Sequence, residues 1–195
     1  MKWATRELIH FDRVVSAWLI ARFIDPEAQF IFLSDGATVG EDVTPFGFSG
    51  AELAPHDNGI TTFQCILDAY SIQDTGLFHF AKIVAEVVDH VVHDRTRSDV
   101  TARDPHTAGV LALAEGTMLL SATDGECLER SLPLYDALYA RLQAQNAIEA
   151  LAPSPPATVF EQSLQIASAT NELRRMQSDF TSLTFVQALS AGVPS

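Results

Sequence analysis

Basic residues are scarce in this sequence. Its 195 residues include 12 lysines and arginines against 25 aspartates and glutamates, which gives a formal net charge of −13. Binding to nucleic acid or to anionic lipid needs a basic face, so this composition argues against direct nucleic-acid binding and against a membrane partner. A small anionic ligand is still compatible with it, because two nearby arginines outweigh a remote acidic surface. Any oxyanion or other small-molecule site must therefore be local.

Cysteines and long apolar segments are also scarce. Cys65 and Cys127 are the two cysteines, and neither lies in a CxxC motif. This pattern is typical of buried thiols in a reducing compartment, with a disulfide between the two as the alternative. The opening residues carry charges where a secretory signal has an apolar stretch. No apolar run approaches the ~18 residues of a membrane span, so we expect a cytoplasmic protein.

The apolar pattern predicts an α+β fold that is mostly helical, with a small N-terminal sheet. Strands are expected within 2–9 and at 29–34, and a long loop with one further short strand at 35–60. Apolar residues at helical spacing recur in five segments, at 12–24, 61–71, 74–88, 105–120 and 124–151. The fourth segment is almost wholly apolar, which predicts a buried helix.

A proline-rich segment, APSPPA at 152–157, divides the chain. Prolines make such a segment stiff and extended, so we interpret it as a linker between a domain at 1–151 and an appendage at 158–195. Apolar residues at helical spacing in the appendage predict one or two amphipathic helices. Their apolar faces need a partner surface, either on the domain or on a second copy, which would make the protein a homodimer.

The segment HFDRVVSAWLIARFIDPEAQFIFL at 10–33 resembles the signature of the chromate-resistance protein family, the ChrB-type domain. An Asp-Arg pair, Asp12 and Arg13, precedes a Trp-Leu-Ile-x-Arg-Phe-Ile-Asp-Pro run at 18–26. Shorter matches follow in order: TPF at 44–46, TF at 62–63, VHD at 92–94, AGVLALAEG at 108–116 and LYDALYA at 134–140. The resemblance extends over residues 2–142. It implies a role in chromate or related oxyanion stress, in a family often found beside or fused to a rhodanese-like sulfurtransferase.

The family-matched residues with ligand chemistry imply a metal site built from Glu52, His56, His93 and Asp94. Imidazole and carboxylate ligands together suit a divalent ion such as zinc, iron or manganese. From the residues alone another interpretation is open, in which His56 caps a helix and the His93-Asp94 pair lies in a solvated loop.

Three positions lose a carboxylate that the family pattern often carries: Gly47, Gln64 and Thr96. Each loss removes a negative ligand, which puts the implied metal site in question for this chain.

Two arginines, Arg13 and Arg22, are candidates for oxyanion binding because a planar guanidinium suits tetrahedral oxyanions. Nine residues of a helix place the two on opposite sides, so one helix does not bring them together. The alternative is that each pairs with Asp12, with Asp25 or with a neighbouring helix.

Other residue types favour structural roles. Trp18, Leu19 and Phe23 are predicted to lie in the core, and His79 in an apolar helix indicates a structural histidine. His106, near a helix start, is expected to be exposed. The sequence thus predicts a metal-binding accessory protein of oxyanion stress. The alternatives are a metal-dependent hydrolase or oxyanion reductase, and a non-catalytic ligand-sensing or oligomerising module.

Overall fold

The computed structural model describes residues 1–54, 60–92, 104–151 and 157–176. Its strands are β1 at Lys2–Arg6, β2 at Gln29–Leu33 and β3 at Val43–Pro45. Its helices are α1 at Phe11–Leu19, which continues into a π-helical turn at Ile20–Ile24, α2 at Thr62–Ala69, α3 at Thr75–Val92, α4 at Thr107–Leu120, α5 at Asp124–Leu151 and α6 at Val159–Met176. The predicted α+β fold class is confirmed.

The chain divides into two compact units. One unit comprises Met1–Gln73 with Phe78–Tyr135, and the other comprises Asp74–Leu77 with Asp136–Ser195. Residues 152–156 of the predicted linker lie outside the described residues. Within the described part of the chain, none of the helices is long and apolar enough to cross a membrane.

The sheet is parallel, with β1 between β2 and β3. The connection from β1 to β2 runs through α1, as parallel strands require a crossover rather than a tight turn. Trp3 in β1 pairs with Phe30 on one side and Thr44 on the other, and it is fully buried. Its indole Nε1 donates a hydrogen bond to the Asp25 carboxylate at 2.9 Å, which connects the centre of the sheet to the end of the π-helical turn.

An aromatic cluster around Trp18 forms the core of the first unit. The Trp18 ring lies 5.2 Å from the Phe80 ring and 6.4 Å from the Tyr135 ring, and it stacks on Phe63 at 6.5 Å. Trp18 and Leu19 have no solvent exposure, which confirms the prediction for both. Phe23 is only partly buried. It lies in the π-helical turn, where the extra residue in the turn breaks the regular helical spacing on which its prediction depended.

One side of α4 is open to solvent, so the prediction of a buried helix is wrong for that side. Val110, Leu111 and Ala114 are buried, but Leu113 is 56% exposed and Leu119 is 87% exposed. The helix is apolar all around. Its sequence therefore carried no amphipathic signal to show which side faces solvent.

Arg13 organises the loop between β1 and α1. Its guanidinium donates hydrogen bonds to the backbone carbonyls of Arg6 at 2.9 Å and Leu8 at 3.0 Å, and more weakly to that of Glu7 at 3.4 Å. The stem of the side chain lies against Gly47, which has a φ of +74°. A Cβ at Gly47 would come within 2.8 Å of the Arg13 Cγ, so both the backbone conformation and the available space require glycine here.

Gly47→Ala is expected to destabilise the protein more than Gly50→Ala. Gly50 has a φ of +88° but open space around its Cβ position, so its replacement costs only the left-handed conformation, about 1 kcal/mol. The contact with Arg13 adds at least about 1 kcal/mol at Gly47. Denaturant unfolding measures both variants. In an Arg13→Ala background the excess cost should vanish, and an unchanged excess would contradict this account.

Candidate metal centre

Helix α3 places two polar side chains beside its buried face. Phe80, Ile83, Val84 and Val87 form that face and have no solvent exposure. His79 and Glu86 are seven residues apart, close to two full turns, so they point to the same side of the helix. The His79 side chain is 34% exposed.

A turn at 104–107 approaches this side of α3. The Asp104 carbonyl accepts a hydrogen bond from the Thr107 backbone N–H at 3.1 Å, and Asp104 Oδ1 accepts one from the His106 backbone N–H at 2.8 Å. Glu86 Oε2 accepts two more, from the Asp104 backbone N–H at 3.1 Å and the Thr107 hydroxyl at 2.7 Å. The turn is therefore bonded both to itself and to α3.

His79, Asp104 and His106 come together at this point. Asp104 Oδ2 lies 2.7 Å from His79 Nε2, and Asp104 Oδ1 lies 2.8 Å from His106 Nδ1. The two imidazole rings are 6.1 Å apart and nearly perpendicular, at 84°. One ligand atom from each of the three residues lies within 4.8 Å of the others. All three side chains are partly buried, which limits competition from water without closing the site.

Asp104 has the negative charge that a carboxylate ligand of a metal ion needs. Burial alone would raise the pKa of Asp104, but the hydrogen bonds from His79 and from His106 outweigh it, and the pKa is lowered. Asp104 is thus a carboxylate at neutral pH, with both imidazoles directed at its oxygens. Two imidazole nitrogens and one carboxylate oxygen form a donor set that fits zinc, iron or manganese. Three ligands from the protein leave further coordination positions for water or another small ligand.

The four metal ligands predicted from the sequence are different residues from the three of this cluster. Glu52 is described and exposed. His56, His93 and Asp94 lie outside the described residues, so their convergence with Glu52 stays a prediction. Thr96 lies outside them as well.

The other predicted positions are described. Gln64 lies in the first turn of α2, where its side-chain amide donates to Asp68 at 2.8 Å. Arg13 donates to backbone carbonyls, and Arg22 lies partly exposed in the π-helical turn. Oxyanion binding by either arginine stays a prediction.

Asp12, the neighbour of Arg13 in the signature, has a buried carboxylate. It accepts a hydrogen bond from the Thr62 backbone N–H at 3.3 Å, at the start of α2. Burial raises the pKa of Asp12, and the hydrogen bonds from Thr62 only partly oppose this effect. Asp12 therefore connects α1 to α2.

Sequence reasoning missed the three clustered residues. His79 was predicted to be structural because its helix is apolar, and His106 to be exposed, whereas the His106 side chain is only 25% exposed. The available signal was the Asp104-x-His106 pair just before α4, together with a histidine on the polar edge of α3. His79 and Asp104 are 25 positions apart in the sequence, and this separation hid their proximity.

The domain at the N-terminal end of the chain matches a known protein family. The model of the ChrB C-terminal domain matches residues 3–142. The chain belongs to this family. The resemblance of the signature at 10–33 is thereby confirmed, and the three clustered residues lie inside the matched range.

One curated ChrB-family relative is the protein named ChrB from Cupriavidus metallidurans. It is 37% identical over 84 residues, which cover 43% of this chain and 26% of the relative. The chain therefore matches about a quarter of that protein's length. No solved structure matches the chain significantly.

The stabilising effect of Asp104 is expected to depend on pH. Because the pKa of Asp104 is lower in the folded protein, its contribution to the free energy of unfolding is complete above the unfolded value, ~3.9, and is lost as the pH falls through the folded value. Asp104→Asn should therefore destabilise the protein at pH 7 but much less near pH 2. Asp42→Asn, at an exposed position, serves as the control. A pH-independent difference for Asp104→Asn would contradict the expectation.

Proposed function

We propose that this protein is an accessory protein in chromate or related oxyanion stress and that it binds a divalent metal ion through His79, Asp104 and His106. The observation that supports metal binding is the convergence of three ligand atoms within 4.8 Å of one another. The stress role is supported by the family match over 3–142 and by the relative named ChrB.

The chemistry of the residues gives the site its preferences. Imidazole nitrogens favour zinc, iron or manganese over calcium and magnesium, which prefer oxygen ligands. The ion would supply a positive centre able to polarise a bound water or oxyanion. The chain's own residues hold the ion: His79 from α3, and Asp104 and His106 from the turn before α4. The second ligand set, Glu52 with His56, His93 and Asp94, is the alternative location for the ion.

Metal binding by substituted proteins separates the two ligand sets. Protein purified without a metal-affinity step is analysed for bound zinc, iron and manganese, and the apoprotein is titrated with each ion. His79→Ala and His106→Ala should each weaken binding by at least about tenfold, since each removes a ligand. Glu52→Gln, His56→Ala and His93→Ala should leave it unchanged. The reverse pattern would move the site to the second set, and no binding by the wild type would contradict the proposal.

The pH dependence of the same titration provides a further check. A metal binds the neutral imidazole and the ionised carboxylate, so the affinity should fall as the pH is lowered from about 7.5 to about 5.5. The low pKa of Asp104 means that the carboxylate keeps its charge over this range.

A second candidate function, an oligomerising module, is favoured by the exposed face of α6. Val159 is 80% exposed, Phe160 is 71% exposed and Leu164 is 54% exposed. Phe160 and Leu164 are four residues apart on one helix face, which suits helix-to-helix packing. A second copy of the chain would bury these side chains and remove apolar surface from water.

Replacing Val159, Phe160 and Leu164 together by serine should lower the mass of the protein measured by light scattering, if α6 mediates self-association. Ala167→Ser, an exposed position on the same helix, is the control and should leave the mass unchanged. Equal masses for the wild type and the triple variant, at concentrations up to ~100 μM, would contradict an oligomerising role.

A further inference from the structure

We propose that Glu86 is the positioning residue of the metal centre. Through one carboxylate oxygen it holds the 104–107 turn against α3, at the place where Asp104 and His106 reach His79. This inference rests on the proposed metal binding. It concerns a residue that supplies no ligand itself, because Glu86 lies outside the three-residue group whose ligand atoms are within 4.8 Å of one another.

The two hydrogen bonds to Glu86 Oε2 fix the turn on both sides of His106. One comes from the backbone N–H of Asp104, which is itself a ligand residue, at 3.1 Å. The other comes from the hydroxyl of Thr107, the first residue of α4, at 2.7 Å. His106 lies between these two attachments. Its ring therefore has little freedom to leave Asp104, to which its Nδ1 is bonded at 2.8 Å.

Because Glu86 lies on α3, its hydrogen bonds to the 104–107 turn also affect the position of that turn relative to His79, the third ligand. His79 and Glu86 are on the same helix, two turns apart. A helix is stiff over this length, so attaching the turn at Glu86 sets its distance from His79. His79 and Asp104 are 25 positions apart in the sequence. The attachment at Glu86 holds them in one arrangement before any ion binds.

Residues that orient metal ligands in this way affect the affinity for the metal, and this effect can be measured. Their replacement commonly weakens metal binding by about 10–100-fold, although the ligands themselves are intact. A residue with a purely structural role would change the stability of the fold and leave the coordination of the bound ion as it was. Three measurements together distinguish a positioning role from a purely structural one. They are the affinity for zinc, the spectrum of bound Co²⁺ and the environment of the His79 and His106 rings in the metal-free protein.

The test compares four variants of the full chain with the wild type. Glu86→Ala removes both hydrogen bonds, Thr107→Val removes one with little change of shape, and Glu86→Gln keeps an oxygen that can accept both. Glu129→Ala, at an exposed position on α5, removes a carboxylate of the same charge elsewhere. Zinc affinity is measured by competition with a chromophoric chelator, and the ligand geometry by the visible spectrum of bound Co²⁺.

Glu86→Ala should bind zinc about 10–100-fold more weakly and should shift the Co²⁺ spectrum. Glu86→Gln should stay within about threefold of the wild type, because its amide oxygen preserves the two hydrogen bonds. Glu129→Ala should match the wild type in both measurements. In the metal-free protein, NMR resonances of the His79 and His106 rings should move in Glu86→Ala and not in Glu129→Ala. If Glu86→Ala does not fold, Thr107→Val is judged by the same measurements.

The experiment distinguishes failure of the inference about Glu86 from failure of the proposed metal binding. If the wild type binds zinc through His79 and His106, but Glu86→Ala binds with the same affinity and the same Co²⁺ spectrum, the inference about Glu86 is overturned and the proposed function stands. If the wild type binds no metal, both are overturned. Loss of affinity in Glu86→Gln equal to that in Glu86→Ala would also overturn positioning through accepted hydrogen bonds.

Discussion

The packing of Phe80 into the aromatic core determines how α3 is rotated about its axis. Its ring lies 5.2 Å from Trp18 and 5.4 Å from Phe63, with no solvent exposure. Successive residues of a helix are 100° apart, so burying Phe80 leaves its neighbour His79 at the edge of the core. Seven residues later Glu86 lies at the same edge. The polar cluster therefore depends on an aromatic contact to which it does not itself contribute.

The sequence predicted burial correctly where the residues concerned are close together and follow one spacing pattern. Trp18 and Leu19 lie on one helix among apolar residues at helical spacing, and that spacing predicted their burial. The family was predicted from the signature at 10–33, which contains both residues. The cluster of His79, Asp104 and His106 was not, because its members are distant in sequence and each has an ordinary local setting. Only the rotation of α3 and the hydrogen bonds of the 104–107 turn bring them together, and neither leaves a pattern of residue spacing.

Gly47 shows that a departure from the family pattern can have a structural cause. The sequence suggested a lost carboxylate at this position and hence a lost ligand. In the structure, the backbone of Gly47 has a φ of +74°, and the stem of Arg13 fills the space beside it. Aspartate tolerates such a φ, but no side chain fits here unless Arg13 moves. Glycine at position 47 is thus explained by its contact with Arg13, which organises the loop between β1 and α1. Its presence there gives no information about metal binding.

The acidic character of the chain limits how it can bind an oxyanion. With a net charge of −13, the protein repels anions at a distance, and only a strong local positive charge can reverse that effect. Arg13 directs its guanidinium at three backbone carbonyls, so part of its hydrogen-bonding capacity is already used within the fold. A divalent ion held by His79, Asp104 and His106, as proposed, would instead bring two positive charges to a partly exposed site and invert the local field there. The same acidic surface that repels a free anion attracts the cation, so metal binding would have to precede oxyanion binding at this centre.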